Sequence, residues 1–272
     1  MPDLLRADGV IFGYQHTPVL RDVTMTLPAG GFVGILGPNG SGKTTLLRVL
    51  AGTVRPARGR VLLDDRDISS FPRQSLARRM AVVPQETHLA FDYTALEVVM
   101  MGRYPHLAMF EIEGPRDFSV AREAMAATGT LSLQDRQFDT LSGGEKQRVI
   151  LAAALAQIAG AGGDGILLLD EPTVALDLAY QLELGELLRE RQRRIPLAIA
   201  VSTHDLNFAA SLCRTVVLLK EGRVLAAGAT DDVLTSEHIR ELYDVEADVT
   251  RHVPTGRVVV VPVRRAPARS QE

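Results

Sequence analysis

The chain has 272 residues, is 46% hydrophobic and 23% charged, and sets 30 Lys and Arg against 33 Asp and Glu for a net charge of −3. Those are the proportions of a globular protein long enough to bury a sizeable core, which excludes a disordered or fibrous chain. The acidic balance argues against general nucleic-acid binding, because phosphate neutralisation needs a basic excess. A single cysteine, Cys213, excludes an intramolecular disulfide and a cysteine-cluster zinc site. It fits a reducing compartment and is expected as a small buried apolar residue.

The opening residues, Met1-Pro-Asp-Leu-Leu-Arg-Ala-Asp8, lack the basic head and apolar core of a secretory signal. No stretch approaches the ~20 apolar residues that span a bilayer, and the most apolar run, 149–161, is too short. The chain is expected to be cytoplasmic and to be held at any membrane by another chain.

In chain order, residues 1–86 read as short strands plus one helix. Phe32-Val-Gly-Ile-Leu36 and Met80-Ala-Val-Val83 are apolar runs bounded by turn residues, as buried strands should be. Residues 87–163 turn helical, with 115–128 a clear case. Residues 164–245 return to alternation: strands at 166–169, 197–201 and 216–219, with helices at 176–193 and 205–213 between them. The glycine-rich 159–165 reads as an exposed loop, and Arg191 to Arg194 as a solvated helix end that suits the helix dipole. Residues 246–272 form a tail, with a strand at 257–263 and a frayed end at 264–272. Strands alternating with helices predict an α/β domain built on a mostly parallel sheet, with the helical middle inserted into it.

Gly37-Pro-Asn-Gly-Ser-Gly-Lys-Thr44 follows the strand at 32–36 and precedes a helical run at 44–50. That context turns the spacing G-x-x-x-x-G-K-[ST] into a phosphate loop. A chance match in this length is on the order of one in a hundred. Gly37, Gly40 and Gly42 let the backbone bring its N–H groups to phosphate oxygens. Pro38, Asn39 and Ser41 complete the turn and, with Thr45, are expected to bind ATP, while the helix that follows adds its N-terminal dipole. Lys43 supplies a point charge for the β- and γ-phosphates, and the Thr44 hydroxyl is a ligand for Mg²⁺. Ile166-Leu-Leu-Leu-Asp-Glu171 is an apolar strand that ends in two carboxylates, at the end of the sheet where parallel strands deliver their chemistry. Asp170 is expected to face Mg²⁺, and Glu171 to orient an attacking water as general base.

Leu141-Ser-Gly-Gly-Glu145, continuing Lys146-Gln-Arg-Val149, resembles the signature of ABC-type ATPases. Five specified residues match by chance roughly once in a thousand such chains or less. The order phosphate loop, Gln85, signature, Asp170-Glu171, His204 is the ABC order over nearly the whole chain. The resemblance implies a P-loop NTPase of RecA-like type, with an antiparallel N-terminal β-subdomain and an inserted α-helical subdomain. The core is then 1–86 and 164–245, the signature subdomain 87–163 and the tail 246–272.

The same resemblance implies roles for single residues. Tyr14, expected to precede the first strand, would stack on adenine. Gln85 would meet Mg²⁺ and join the helical insert to the core. Ser142, Gly143, Gly144 and Glu145 would contact ATP bound to a second chain. Asp177 would cross the dimer interface, and His204 would sit at the γ-phosphate. Val174 departs from the Ser or Asn common at its position. The remaining histidines, His88, His106, His238 and His252, receive no role.

Met101-Gly-Arg-Tyr-Pro-His106 and the run from Gly228 to Tyr243 resemble the ATPases of importers for iron–siderophore, haem and cobalamin. That implies partners: a second ATPase subunit, expected to be a second copy, transmembrane permease subunits and, indirectly, a substrate-binding protein. It places the chain at the cytoplasmic face of the membrane, with no nucleic acid involved. These two segments are expected to face the permease or the regulatory edge, with Glu97 and Arg103 exposed. An ATPase of another ABC transporter, metal or exporter type, and a soluble ABC ATPase remain as alternatives.

Overall fold

The computed structural model describes residues 3–15, 17–87, 89–160, 164–174 and 177–266. The chain runs β1 (Asp3–Tyr14), β2 (Thr17–Pro28), β3 (Phe32–Leu36), α1 (Lys43–Leu50), β4 (Arg58–Leu63), β5 (Arg66–Asp67), α2 (Arg73–Arg79) and β6 (Met80–Val83). It continues through α3 (Ala95–Met101), α4 (Pro115–Ala127), α5 (Gly143–Ile158), β7 (Gly165–Asp170), α6 (Leu178–Arg194), β8 (Leu197–Thr203) and α7 (Leu206–Leu212). It ends with β9 (Thr215–Lys220), β10 (Arg223–Ala229), α8 (Thr230–Val233), α9 (Ser236–Tyr243), β11 (Val245–Arg251) and β12 (Val258–Arg265). This is the mixed α/β class expected. No helix among the described residues is long and apolar enough to cross a membrane.

The chain divides into two compact units, one formed by 1–68 with 200–272, the other by 69–199. The first unit holds an antiparallel sheet in the order β2-β1-β4-β5 and a run β10-β9-β3-β8. There β3 and β9 pair in parallel, from Val33 opposite Thr215 to Leu36 opposite Leu218. All five residues of β3 are buried, as a central parallel strand requires. Helix α1 buries Leu46, Leu47, Val49 and Leu50 and packs on β1 and β2. The second unit holds β8-β7-β6, with β6 and β7 parallel. Its helices surround α5, which buries Val149, Leu151, Ala152, Leu155, Ala156 and Ile158 and packs against α2, α3, α4 and β6. A helix apolar on most of its circumference is a buried one.

Four expectations need correcting. The strands of the first 86 residues are not all short, since β1 and β2 are each 12 residues long. Register shifts along their pairing, between Ala7 and Val10 among others, break the period-two alternation that betrays a long strand. A second helix, α2, lies in the same region; it has no buried residue and so no apolar stripe to read. Tyr14 does not stand apart before the strands but is the last residue of β1.

Residues 264 and 265 are not frayed. They end β12, where Arg264 pairs with Glu246 and Arg265 with Val245, and Arg264 Nε bonds Glu246 Oε2 at 2.6 Å. Within 87–163 the described regular structure is helical, apart from one bridge between Thr94 and Gln137. Leu176, the loop residues 161–163 and the end at 267–272 lie outside the described residues. Cys213 is buried, as expected.

The hairpin of β11 and β12 is fastened to α7 by one side chain. Asn207 Nδ2 donates to the Val260 carbonyl at 3.1 Å, and its Oδ1 accepts from the Val260 N–H at 2.9 Å. Two net hydrogen bonds are worth about 1–3 kcal/mol. Asn207→Ala is therefore expected to lower stability to chemical denaturation by that amount and to raise amide exchange in 258–265; unchanged exchange there would count against this fastening.

Candidate functional site

The phosphate loop belongs to the first unit. Gly42 stands at the N-cap of α1 with φ of 105°, and the helix opens with no side-chain cap and no acidic residue in its first turn. Its N-terminal dipole is left to whatever anion the loop receives. Gly40 also lies in the left-handed region, at φ 79°. Gly37 is required for a different reason: a Cβ there would overlap the Leu219 carbonyl oxygen and approach Ser41 Oγ to 2.7 Å. Lys43 is buried and curls back into the loop, its Nζ donating to the carbonyls of Gly37 at 2.8 Å and Pro38 at 3.2 Å. Ser41 Oγ is buried without a hydrogen-bond partner. A buried orphan oxygen in a cradle of amides beside an ammonium suits an anionic ligand rich in acceptors.

Tyr14, 44% exposed, stands edge-on to Phe12 at 5.0 Å and accepts a bond from Arg48 NH1 at 3.3 Å. One ring face can thus be offered to a flat ligand. His204 follows the buried end of β8 directly and is exposed. Behind it Thr203 Oγ1 accepts from Asp205 N at 3.0 Å, and Asp205 caps α7 through Phe208 N at 2.9 Å.

In the second unit β7 is buried throughout and ends at Asp170. Asp170 and Glu171 are each 6% exposed, an unusual degree of burial for carboxylates. Glu171 adopts φ of 47°, in the left-handed region. A non-glycine residue held there costs of order 1–3 kcal/mol, and such residues cluster at functional sites. Gln85 is exposed just beyond β6 and Pro84.

Ser142 is the N-cap of α5. Its Oγ accepts from Glu145 N at 3.3 Å, while Glu145 Oε2 accepts from Ser142 N at 2.8 Å and from Ser142 Oγ at 2.9 Å. These bonds from Ser142, with Arg136 and Arg148 near, hold the Glu145 carboxyl below its ordinary value. Its support of the helix is therefore complete above that ordinary value and disappears as pH falls through the lowered one.

The structure brings the signature to the segment bearing Asp177. The Tyr180 ring lies 3.3 Å from where a Gly144 Cβ would stand, and Arg148 stacks over that ring at 4.8 Å. Asp177 in turn caps α6, with Oδ1 accepting from Tyr180 N at 3.0 Å. Sequence reading missed Tyr180 and Arg148, because an aromatic in the first turn of a helix gives no signal of which helix it meets. It also misjudged Arg103, expected exposed, which is 4% exposed. Glu97 is exposed, but its carboxylate is engaged in a capping box with Thr94.

A glycine loop between a buried strand and an uncapped helix, together with a strand ending in buried paired carboxylates, defines a P-loop ATPase. The profile of the ABC transporter family matches residues 20–174. The chain is 42% identical over 265 residues to the hemin import ATP-binding protein of Gloeobacter violaceus, covering 97% of this chain and 95% of that one. It is 38% identical over 261 residues to the ferric enterobactin transport ATP-binding protein of Escherichia coli, covering 96% and 94%. It superposes on a metal-chelate type ABC transporter in an inward-facing conformation with a TM-score of 0.83, at 29% identity over 97% of this chain and 98% of that one. The chain belongs to the ABC transporter family and is an ATP-hydrolysing subunit of it.

The two kinds of loop glycine separate by mutation. Gly40→Ala meets open space and only the left-handed penalty, about 1–2 kcal/mol. Gly37→Ala must displace the loop from β9, and is expected to weaken ATP binding by more than tenfold in an equilibrium titration. Wild-type affinity in Gly37→Ala would remove the close approach from the account of the site.

Proposed function

We propose that this chain, paired with a second copy, energises an importer of an iron–siderophore, haem or cobalamin. The observation that carries the reading is identity near 40% over almost the full length of relatives named for hemin and ferric enterobactin transport. The loop amides and Lys43 bind the β- and γ-phosphates, and Tyr14 stacks on the adenine. Thr44, Gln85 and Asp170 offer only hydroxyl, amide and carboxylate oxygens, the donors a hard cation such as Mg²⁺ takes. Mg²⁺ there would offset phosphate charge as the bond to the γ-phosphate breaks.

Glu171 orients the attacking water and takes its proton, and His204 serves the γ-phosphate from the end of β8. Ser142, Gly143, Gly144 and Glu145 meet the ATP held by the partner copy, and Asp177 lies at that interface. ATP then joins the two copies, and hydrolysis releases them. The segment beyond Gln85 receives a cytoplasmic part of the permease, which holds the chain at the membrane; a substrate-binding protein delivers the cargo from the other side.

Glu171→Gln keeps shape while removing charge and base, and should slow hydrolysis by about 10²–10⁴-fold. It should accumulate as an ATP-bound dimer in light scattering with Mg–ATP, whereas Lys43→Ala should bind ATP poorly and remain monomeric. Wild-type turnover in Glu171→Gln would falsify the base assignment.

Stacking on an aromatic face is worth about 1–3 kcal/mol. Tyr14→Ala should thus weaken ATP binding roughly tenfold or more, and Tyr14→Phe little. Equal affinity of Tyr14→Ala and the wild type takes Tyr14 out of the nucleotide site.

A further inference from the structure

The segment Gly102-Arg-Tyr-Pro-His-Leu107, expected at a permease face, turns most of its chemistry inward. Gly102 is buried so tightly against α5 that a Cβ would overlap the Ala153 carbonyl oxygen. Arg103 NH1 donates to the carbonyl of Ala156 at 2.6 Å and reaches that of Ala159 at 3.5 Å, while Nε bonds Asp117 Oδ1 at 3.0 Å. His106 Nε2 lies 2.7 Å from the Gln157 carbonyl. A carbonyl can only accept, so Nε2 carries the proton. Burial pushes the His106 pKa down against the pull of that bond, and Arg103 and Arg78 add to the push.

Only Tyr104 of the six is exposed. The last carbonyls of a helix have no partner within it, and its C-terminus favours cations. Here one distant segment supplies both the donors and the charge that close α5.

The same segment is fastened on its other side. Arg78 Nε donates to the Pro105 carbonyl at 2.7 Å, and Gln74 Nε2 to that of Leu107 at 2.9 Å. From α5, Gln157 Nε2 donates to the carbonyls of Ala77 at 2.8 Å and Met80 at 2.9 Å. Met80 is the first residue of β6, the strand that leads to Gln85. The signature lies at the opposite end of α5, about 24 Å away at 1.5 Å per residue.

We propose that Arg103 and His106 are positioning residues that close the C-terminal end of α5 and, together with the Gln157 side chain, bind it to α4, α2 and β6, so that the signature helix and the strand leading to Gln85 move as one lever. A displacement at Gln85 then reaches Ser142 at the far end instead of being absorbed at a loose helix terminus. This rests on the paired-ATPase reading only where dimer formation is measured.

The test compares Arg103→Met, Arg103→Lys, His106→Ala and His106→Gln in the full chain, each with and without Glu171→Gln. ATP affinity of the isolated chain should stay within about twofold of wild type, because the phosphate loop belongs to the other unit. Steady-state kcat, and ATP-driven dimerisation in the Glu171→Gln background, should fall about tenfold in Arg103→Met. His106→Gln, whose amide can still donate to the Gln157 carbonyl, should recover most of what His106→Ala loses.

A lowered melting temperature with unchanged kcat would mean that the cluster only stabilises the fold, and would overturn the proposal. If Arg103→Met does not fold, the His106 pair decides: equal kcat in His106→Ala and wild type overturns it. If Glu171→Gln alone does not dimerise, the paired reading fails, and kcat against ATP affinity still decides the lever.

Discussion

The phosphate loop depends on a missing side chain. The Leu219 carbonyl of β9 occupies the place where a residue at 37 would carry its Cβ. Because nothing is there, β3 and β9 can continue as parallel neighbours to Leu36 and Leu218 while the chain between Gly37 and Gly42 folds over the strand ends. Two backbone bonds close the turn, Ser41 N to the Pro38 carbonyl at 3.2 Å and Gly222 N to the Ser41 carbonyl at 3.0 Å. The turn after β9 thus holds the loop from one side, and Lys43 holds it from within. A cradle fixed by backbone on two strands needs little reorganisation when an anion enters, which is the condition for amide dipoles to act strongly.

Helix α1, which follows Gly42, and helix α5, which opens on Gly143 and Gly144, have opposite electrostatic beginnings. Helix α1 starts with neither a side-chain cap nor an acid in its first turn. Helix α5 starts with a complete capping box, so Ser142 and Glu145 have already answered part of its demand. A carboxylate at that position also reduces the attraction for a further anion. On the proposed pairing, the difference suits a division of labour in which α1 takes the phosphate and the signature helix adds to a nucleotide held by the partner copy.

Short chemical motifs were legible in the sequence, because residue types at fixed spacing have few other uses. The phosphate loop and the apolar strand that ends at Asp170 lie on the elements anticipated for them. The buried strands were legible through unbroken apolar runs. What escaped had no periodic signature: β1 changes register along its length, α2 buries nothing, and β11 mixes Glu246, Asp248 and Arg251 into a half-exposed strand. The sequence suggests a base at Glu171 from its position but gives no sign of its left-handed backbone, since glutamate is not a residue that announces such a conformation.

Arg103 shows why a motif's neighbourhood is harder to read than its chemistry. An arginine between Gly102 and Tyr104 reads as a surface residue, since arginine is seldom fully buried without a partner. The partners exist, but they are Asp117 at 14 residues' distance and the α5 carbonyls at 53 and 56. Asp117 is itself shaped by the encounter: burial would raise its carboxyl, yet the Gly114 N–H and the Arg103 guanidinium overcome this and hold it low. It stays charged and keeps Arg103 paired. Removing either partner would leave a buried charge, a heavier loss than the pair's own contribution. Such an arrangement is a poor way merely to fill space, where apolar residues serve as well. Its distinctive property is direction: a planar fork fixes the angle between α4 and the end of α5, and a helix held in angle at one end is held at the other.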